Sequence, residues 1–450
     1  MGHKEIRDLM KNLTEAFYIA SGPDLRSFVT SGLVKKRRER GLRTVLIIEN
    51  LEGFQNLPVL SDYEIISAKR LFRIGILSKI SFWLYGIRLK LWKENAKKKN
   101  FDVIHFSIGV DNQSSYWGGI LALPWFRGLI RLLHQFFLNI ALIVDNKNAF
   151  PYKISRIYFS GFLSIFTQLT IAKSGKEGAN LFYLNNNWKD IYSEFEFPIM
   201  PDIVSFWYEE LREDALVVSP EIQSAEIRIT GNPYFQKLLE IGNNLGAGGA
   251  KEKYGIKSKT RLFLWALGQK TMVRNEEKLL AQIDVTLRRL LGADNFVIIC
   301  RRNPLYNDIL INESETVIVA DDFWHVDLEQ DVVFQNEDGE REWVQLLKDS
   351  DFVLSSPSTV AIEAGLIGKP FLCNLLEDEG YFSEKLGKFW QSRIFETLKS
   401  DRLFNFDEIS KLSHLTNVLQ PKNAEARNFK GDRDPSVLSF LLKSDFSRFD

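Results

Sequence analysis

The sequence is short of the residues that would tie it to a metal, a disulfide framework or an export route. Its 450 residues hold two cysteines, Cys300 and Cys373. Both close apolar, strand-like runs, where a thiol behaves as a small buried apolar group, so no disulfide scaffold is implied. The five histidines are scattered and no Asp-x-Asp pair stands beside a strand end. Neither a metal site nor a resident cofactor is expected. Net charge is also missing, because 58 Lys and Arg balance 58 Asp and Glu. Without a global positive field, nucleic acid is not an expected partner. The opening MGHKEIRDLMKNL carries charges where an export signal needs an apolar run, which points to a reducing, cytoplasmic setting.

Clean membrane-length runs are lacking too. Tyr116 to Val144 is largely apolar, but Pro124, Arg127, Arg131 and His134 interrupt it. The uncharged stretch Ile157 to Ala172 is about 16 residues long, short of the roughly 20 that span a bilayer. Both are expected to be core elements. No short-period repeat or low-complexity segment appears.

What is present is a globular composition, 45% apolar and 26% charged, long enough for two domains of roughly 200 residues each. Strand and helix signals alternate. Ala16–Ala20 reads as a short buried strand, Ser21-Gly22-Pro23-Asp24 as a turn, LRSFVTSGLVKKRRERG as a helix and TVLIIEN as a second strand, a β-α-β unit with parallel strands. FDVIHF, Asn139–Val144 and LTIAKS read as further strands, with GKEGANLFYL helical. DIVSFW, YEELREDAL and EIRITGNPYF continue the series. Residues 1–240 form one expected domain. Glycine-rich 241–258 is the expected linker. A second α/β series, RLFLWAL to PFLCNL, fills 259–395, and 396–450 is expected to be a helical tail. The fold class is α/β, two tandem Rossmann-like domains facing across an interdomain cleft.

Residues 355 to 370, SSPSTVAIEAGLIGKP, follow the apolar run DFVL. In parallel sheets ligands bind at the carboxyl ends of strands, where the next helix offers free N–H groups. Ser355, Ser356, Ser358 and Thr359 with those amides suit a diphosphate, and Glu363 one turn on suits the two hydroxyls of a ribose. Helix capping by Ser358 or Thr359 beside a solvated Glu363 is the plainer alternative. The neighbouring strand ends add Gly268, Gln269 and Lys270 after FLWAL, and Arg301 and Arg302 after FVIIC. Together they read as a phosphate site.

The array ITGNPYF, a strand ending in basic residues and proline, then SDFVLSSPSTVAIEAGLIGKPFL resembles bacterial GT-B glycosyltransferases of surface-carbohydrate (capsule and lipopolysaccharide) synthesis. It is similar also to their relatives, the UDP-N-acetylglucosamine 2-epimerases and the glycerophosphate transferases of teichoic acid assembly. The resemblance covers about residues 200–375 and implies a nucleotide sugar held by the downstream domain as substrate, and an acceptor held by the upstream one. Carried over, Ser355, Ser356, Ser358 and Thr359 bind phosphates, Glu363 the ribose, and Gly268 and Gln269 the nucleotide. Asn303-Pro304 stands where many relatives have His-Pro, which would leave phosphate stabilisation to Arg301, Arg302 or Lys270. Seven residues after Glu363 comes Phe371, so the Glu-x7-Glu pattern of many retaining enzymes is absent and inversion is the expected outcome.

An inverting transfer needs a general base near the acceptor hydroxyl. Asp111, in GVDNQSS, is the first choice and Glu49 the second, with Glu52 and His105 also within reach of strand ends. Ser21 and Gly22 would let acceptor or phosphate approach backbone closely, although a tight turn explains them as well. Between Lys69 and Lys99 ten basic residues face one acid, Glu94, and alternate with Phe72, Phe82, Trp83, Tyr85 and Trp92. Residues 69–99 are therefore either a membrane-resting surface at the inner face, fitting a glycan or lipid-linked acceptor, or a solvated basic face with its aromatics in the core.

Overall fold

The computed structural model describes residues 14–54, 57–98, 124–162, 164–187, 190–193, 195–268, 276–303, 311–321, 324–327, 332–374, 395–396 and 406–409, with Leu415 and Leu419. The chain divides into two compact units, with the break between Tyr234 and Phe235.

The upstream unit runs β1 (Thr14–Ile19), α1 (Gly22–Leu25), α2 (Leu33–Glu39), β2 (Arg43–Ile48), β3 (Glu64–Ser67), α3 (Ile76–Lys98), α4 (Pro124–Val144), β4 (Ile154–Phe159), α5 (Ile165–Lys176), β5 (Asn180–Leu184), β6 (Ile203–Phe206), α6 (Glu209–Val218) and β7 (Glu226–Ile229). Its seven strands lie in the order β3-β2-β1-β4-β5-β6-β7, and every neighbouring pair is parallel. Buried on both faces, β1 and β2 are near-continuous apolar runs rather than alternating ones. The Phe17 ring stacks on Tyr158 at 4.5 Å and takes the edge of Phe28 at 5.7 Å. These rings join β1 and β4 to the segment that follows α1.

Helix α7 (Pro233–Asn244) crosses the break, and α8 (Gly249–Lys253), β8 (Arg261–Ala266), α9 (Glu276–Leu291), β9 (Phe296–Arg301), β10 (Val317–Val319), β11 (Trp324–Asp327), β12 (Val332–Gln335), α10 (Glu337–Asp349), β13 (Phe352–Ser355), α11 (Thr359–Ile367), β14 (Phe371–Asn374) and β15 (Phe406–Ile409) follow. Six strands form a parallel sheet in the order β10-β9-β8-β13-β14-β15. Strands β11 and β12 make a separate pair. Phe263, Trp265, Leu280, Leu287, Ile298 and Phe352 centre its core. Both cysteines are buried in strands, and burial pushes the Cys300 thiol far above its ordinary range.

Four expectations are corrected. Asn139–Val144 is the end of helix α4, not a strand. LTIAKS lies in helix α5 and NLFYL is strand β5, the reverse of the pattern read from sequence. Ser164 starts α5 by accepting from Thr167 N at 3.0 Å, and the helix is buried from Thr167 to Ser174. A helix buried all round, with polar and apolar residues alike inside, has no amphipathic period to mark it. The segment 241–258 is not a free linker. Asp349 accepts from Gly248 N (2.6 Å) and Ala250 N (2.7 Å) at the start of α8, and Lys348 Nζ donates to Gly242 O at 2.7 Å. Gly248, at φ 89°, supplies the left-handed turn before α8. In the expected helical tail, Phe406–Ile409 is a strand paired with β14.

Helices α3 and α4 are an antiparallel pair, since Ser78 and Gly75 N, near the start of α3, donate to Asp145 at the end of α4, while Arg88 meets His134. Arg88 is buried and forms an ion pair with Glu196 at 2.5 Å. Its Nη1 also donates to His134 Nδ1 at 3.0 Å. Burial first, and the Arg88 charge second, lower the His134 pKa to about 4. The unfolded chain takes up this proton near 6.5, so the stabilisation present above that pH is lost on acidification toward 4, by up to roughly 3 kcal/mol. His134→Gln should flatten the pH dependence of the urea midpoint across this window. An unchanged slope would show that the imidazole takes up its proton at the same pH in the native and the unfolded chain.

Candidate functional site

Strand order reverses once in each sheet, between β1 and β4 upstream and between β8 and β13 downstream. Connections leave in opposite directions there, and the loops diverge to leave an opening at the carboxyl edge. The downstream reversal carries the residues singled out from sequence. Leu267-Gly268 follows β8, and Ser355-Ser356-Pro357-Ser358 leads from β13 into α11. Ser355 Oγ donates to Ala266 O at 2.9 Å, tying the two strand ends together. Ser355 and Ser356 are buried, and Ser358 and Thr359 are half-buried.

Ser358 stands at the N-cap of α11 in an extended conformation, yet its side chain makes no cap hydrogen bond. The capping alternative therefore does not describe this helix start. Ser358 Oγ lies 3.5 Å from Ser355 Oγ. At the other end of α11, Gly368 (φ 78°) takes the left-handed position that turns the chain toward β14.

Glu363 is buried, so it is not a solvated carboxylate. Its Oε2 accepts from Trp343 Nε1 on α10 at 2.7 Å. The Arg301 guanidinium at the end of β9 lies 4.1 Å over the Trp343 ring. Trp343 thus joins two predicted site residues and was missed from sequence, where it reads as one apolar position in EREWVQLL. Arg302, next to Arg301, has a buried Nε with no hydrogen-bond partner among the described residues.

Gly268 differs from expectation. Its N–H donates to Glu276 Oε2 at 2.8 Å, so this amide is already engaged. Glu276 opens α9, is buried, and its Oε1 accepts from Trp265 Nε1 at 3.4 Å. Burial outweighs these two hydrogen bonds and raises its carboxyl to about 7. Sequence offered only an acid at a helix start, a common feature. Gln269 and Lys270 lie outside the described residues, as do Asp111 and His105.

In the upstream unit, Glu49 follows β2 and its Oε2 accepts from three hydroxyls: Tyr18 (2.8 Å), Ser164 (2.5 Å) and Thr167 (3.3 Å). Ser164 also caps α5, so the carboxylate is anchored to β1 and to the loop after β4. Burial, then the Glu49 charge, raises the Tyr18 pKa and keeps it a donor. Oε1 of Glu49 has no hydrogen bond among the described residues. Glu52 is exposed.

Ser21 and Gly22 form the first turn of α1, in line with the tight-turn alternative. Asp24 Oδ2 accepts from Ala20 N, Ser21 N and Ser21 Oγ, each at 3.0 Å. Its Oδ1 accepts from Ser160 Oγ, and from Asn186 Nδ2 at 2.9 Å. The Ser21 hydroxyl is therefore committed to the fold. Asp24 binds together the ends of β1, β4 and β5, a role invisible in a Gly-Pro-Asp turn. A separate hollow of about 580 Å³ opens at the amino edge of this sheet, beside Ser155, Asn180 and Asp202, at the opposite edge from its own strand reversal.

No protein-family model matches the sequence, and no curated protein matches it. Among solved structures, the chain is similar to the UDP-GlcNAc 2-epimerase from Neisseria meningitidis bound to UDP-GlcNAc, at 12% identity and TM-score 0.48, over 96% of this chain and 100% of that one. For the Methanocaldococcus jannaschii UDP-GlcNAc 2-epimerase in complex with UDP-GlcNAc and UDP, the values are 12% and 0.45, over 97% and 99%. For the spinosyn rhamnosyltransferase SpnG complexed with thymidine diphosphate, they are 10% and 0.40, over 96% of each chain.

Glu276 gives a measurable signature. The unfolded chain loses this proton near 4.5 and the native chain holds it to about 7. The stabilisation is present below 4.5 and lost as pH rises through 7, by up to roughly 3 kcal/mol. Glu276→Gln, which keeps an acceptor for Gly268, should raise the urea midpoint at pH 8 while leaving it nearly unchanged at pH 4.5. Equal midpoints at pH 8 would mean that the carboxyl loses its proton at the same pH in the native and the unfolded chain.

Proposed function

We propose that this chain is a glycosyltransferase, moving a sugar from a nucleotide-sugar donor to a glycan or lipid-linked acceptor in surface polysaccharide synthesis. The observation that carries the reading is the downstream strand reversal, where Ser355 spends its hydroxyl on tying β13 to the end of β8 and thereby leaves Ser356, Ser358 and the start of α11 at the opening. Hydroxyls and first-turn amides without a side-chain cap form a donor set for a diphosphate. Arg302 adds a buried Nε that has no acceptor among the described residues, as phosphate oxygens would supply. Glu363, oriented by Trp343, receives the ribose.

In the transfer, a carboxylate removes the proton of the acceptor hydroxyl. The freed oxygen attacks the anomeric carbon, and the bond to the nucleoside diphosphate breaks with its electron pair on the diphosphate. Glu49, fixed through one oxygen by three hydroxyls, fits the role of base, as does Asp111 by its place in the sequence. Arg301 and Arg302 offset the charge gathering on the leaving group. No metal is part of this scheme.

Thermal shift with UDP, GDP, CDP, CMP and ADP tests the binding step. The right nucleotide at 100 times its dissociation constant adds about 2.7 kcal/mol of apparent stability, and Arg302→Ala should erase that shift. If none of the five raises the melting temperature, the nucleotide reading fails. Glu49→Gln should lower turnover by about 10²–10⁴ while leaving the nucleotide shift intact. Incubation with donor alone separates the neighbouring chemistry, because interconversion of the sugar without acceptor would assign a 2-epimerase instead.

A further inference from the structure

Helix α4 was expected in the core, but its apolar residues point both ways. Ile130, His134, Leu138 and Ala141 are buried, while Trp125 (63% exposed), Leu132 (71%), Phe136 (56%) and Ile143 (77%) face outward. The outward residues recur at helical spacing and form one stripe about 27 Å long. Helix α3 presents a parallel case. Of its aromatics Tyr85 and Trp92 are buried, whereas Trp83 is 64% exposed, and it shares its outer face with Lys79, Gly86 and Lys90.

The two stripes turn to the same side. Ile80, Leu84 and Ile87 of α3 pack against Phe126, Ile130 and Leu133 of α4. In each helix the exposed stripe lies roughly a quarter-turn from this contact stripe in the same rotational sense. For antiparallel helices that geometry brings both exposed stripes onto one surface. Its charge is one-sided, since α4 contains no acid and α3 only Glu94. Lys79 and Lys90 are exposed and have no ion-pair partner among the described residues.

We infer that the outer face of α3 and α4 docks on an anionic lipid surface. Trp125, Leu132, Phe136 and Ile143 enter the acyl boundary, and Lys79 and Lys90 meet the headgroups. The length and hydropathy of Trp125–Val144 would also allow a bilayer crossing. Its opposite face, however, is packed into the upstream unit and carries the buried Arg88–His134 contact, which fits a helix lying in the interface. The inference goes beyond the proposed transfer and does not depend on it.

Co-sedimentation of the full chain with vesicles, without nucleotide, tests it. The wild type should pellet with phosphatidylcholine vesicles containing phosphatidylglycerol, less with phosphatidylcholine alone, and less in high salt. Leu132→Glu with Phe136→Glu should cut binding by roughly ten-fold or more at an unchanged circular dichroism spectrum. Lys79→Glu with Lys90→Glu should remove the preference for anionic lipid. Wild type that stays in the supernatant overturns the inference. So does binding unaffected by the Leu132 and Phe136 changes, or a dimer in lipid-free solution that those changes dissociate.

Discussion

Parallel pairing obliges every connection to return across a face of the sheet, so each strand delivers its following loop to the same edge. In both units that edge is where polar groups gather on an apolar scaffold. The strands can be largely apolar because helices cover them, and a charge inside one needs a partner, as buried Glu15 of β1 has in Arg37. Ser355 shows the constraint at its tightest. It is buried, so its hydroxyl must donate, and it finds the Ala266 carbonyl on the neighbouring strand. The chain then enters α11 with its first amides turned toward the reversal.

The two units furnish this edge differently. Upstream it is acidic and closed by hydrogen bonds: Asp24 ties three strand ends and Glu49 collects three hydroxyls. Downstream it offers hydroxyls, helix-start amides and guanidinium groups, with the acids Glu276 and Glu363 each held by an indole N–H from below.

Much of the downstream unit was legible because its strands are short apolar runs and its helices amphipathic, as in NEEKLLAQIDVTLRRLL. Strand ends could then be located to a residue, and Arg301, Ser355 and Glu363 placed near one another. Upstream, α5 and β5 were exchanged, since a fully buried helix shows no period and its β-branched LTI run favours a strand reading. The glycine-rich 241–258 looked like a linker because the caps that order it come from Lys348 and Asp349, about a hundred residues away. Trp343 and Glu276 escape notice for a related reason: each matters through side-chain hydrogen bonds, Trp343 to Glu363 and Glu276 to Gly268 and Trp265, which hydropathy and spacing do not encode. Helix α4 was misjudged from the opposite cause, as hydropathy reports an apolar residue but not which way it faces.

The closing strand of the downstream sheet has a consequence for the integrity of the chain. Phe371–Asn374 pairs on one side with β13 and on the other with Phe406–Ile409, which arrives after a long excursion. Loss of the chain beyond a cut between them would take Leu415 and Leu419 out of the core and bare a buried, wholly uncharged ribbon, FLCN, with unsatisfied N–H and C=O groups along one side. Such an edge recruits other strands. Proteolytic clipping in this stretch would therefore yield sticky, self-associating fragments rather than a trimmed, soluble domain.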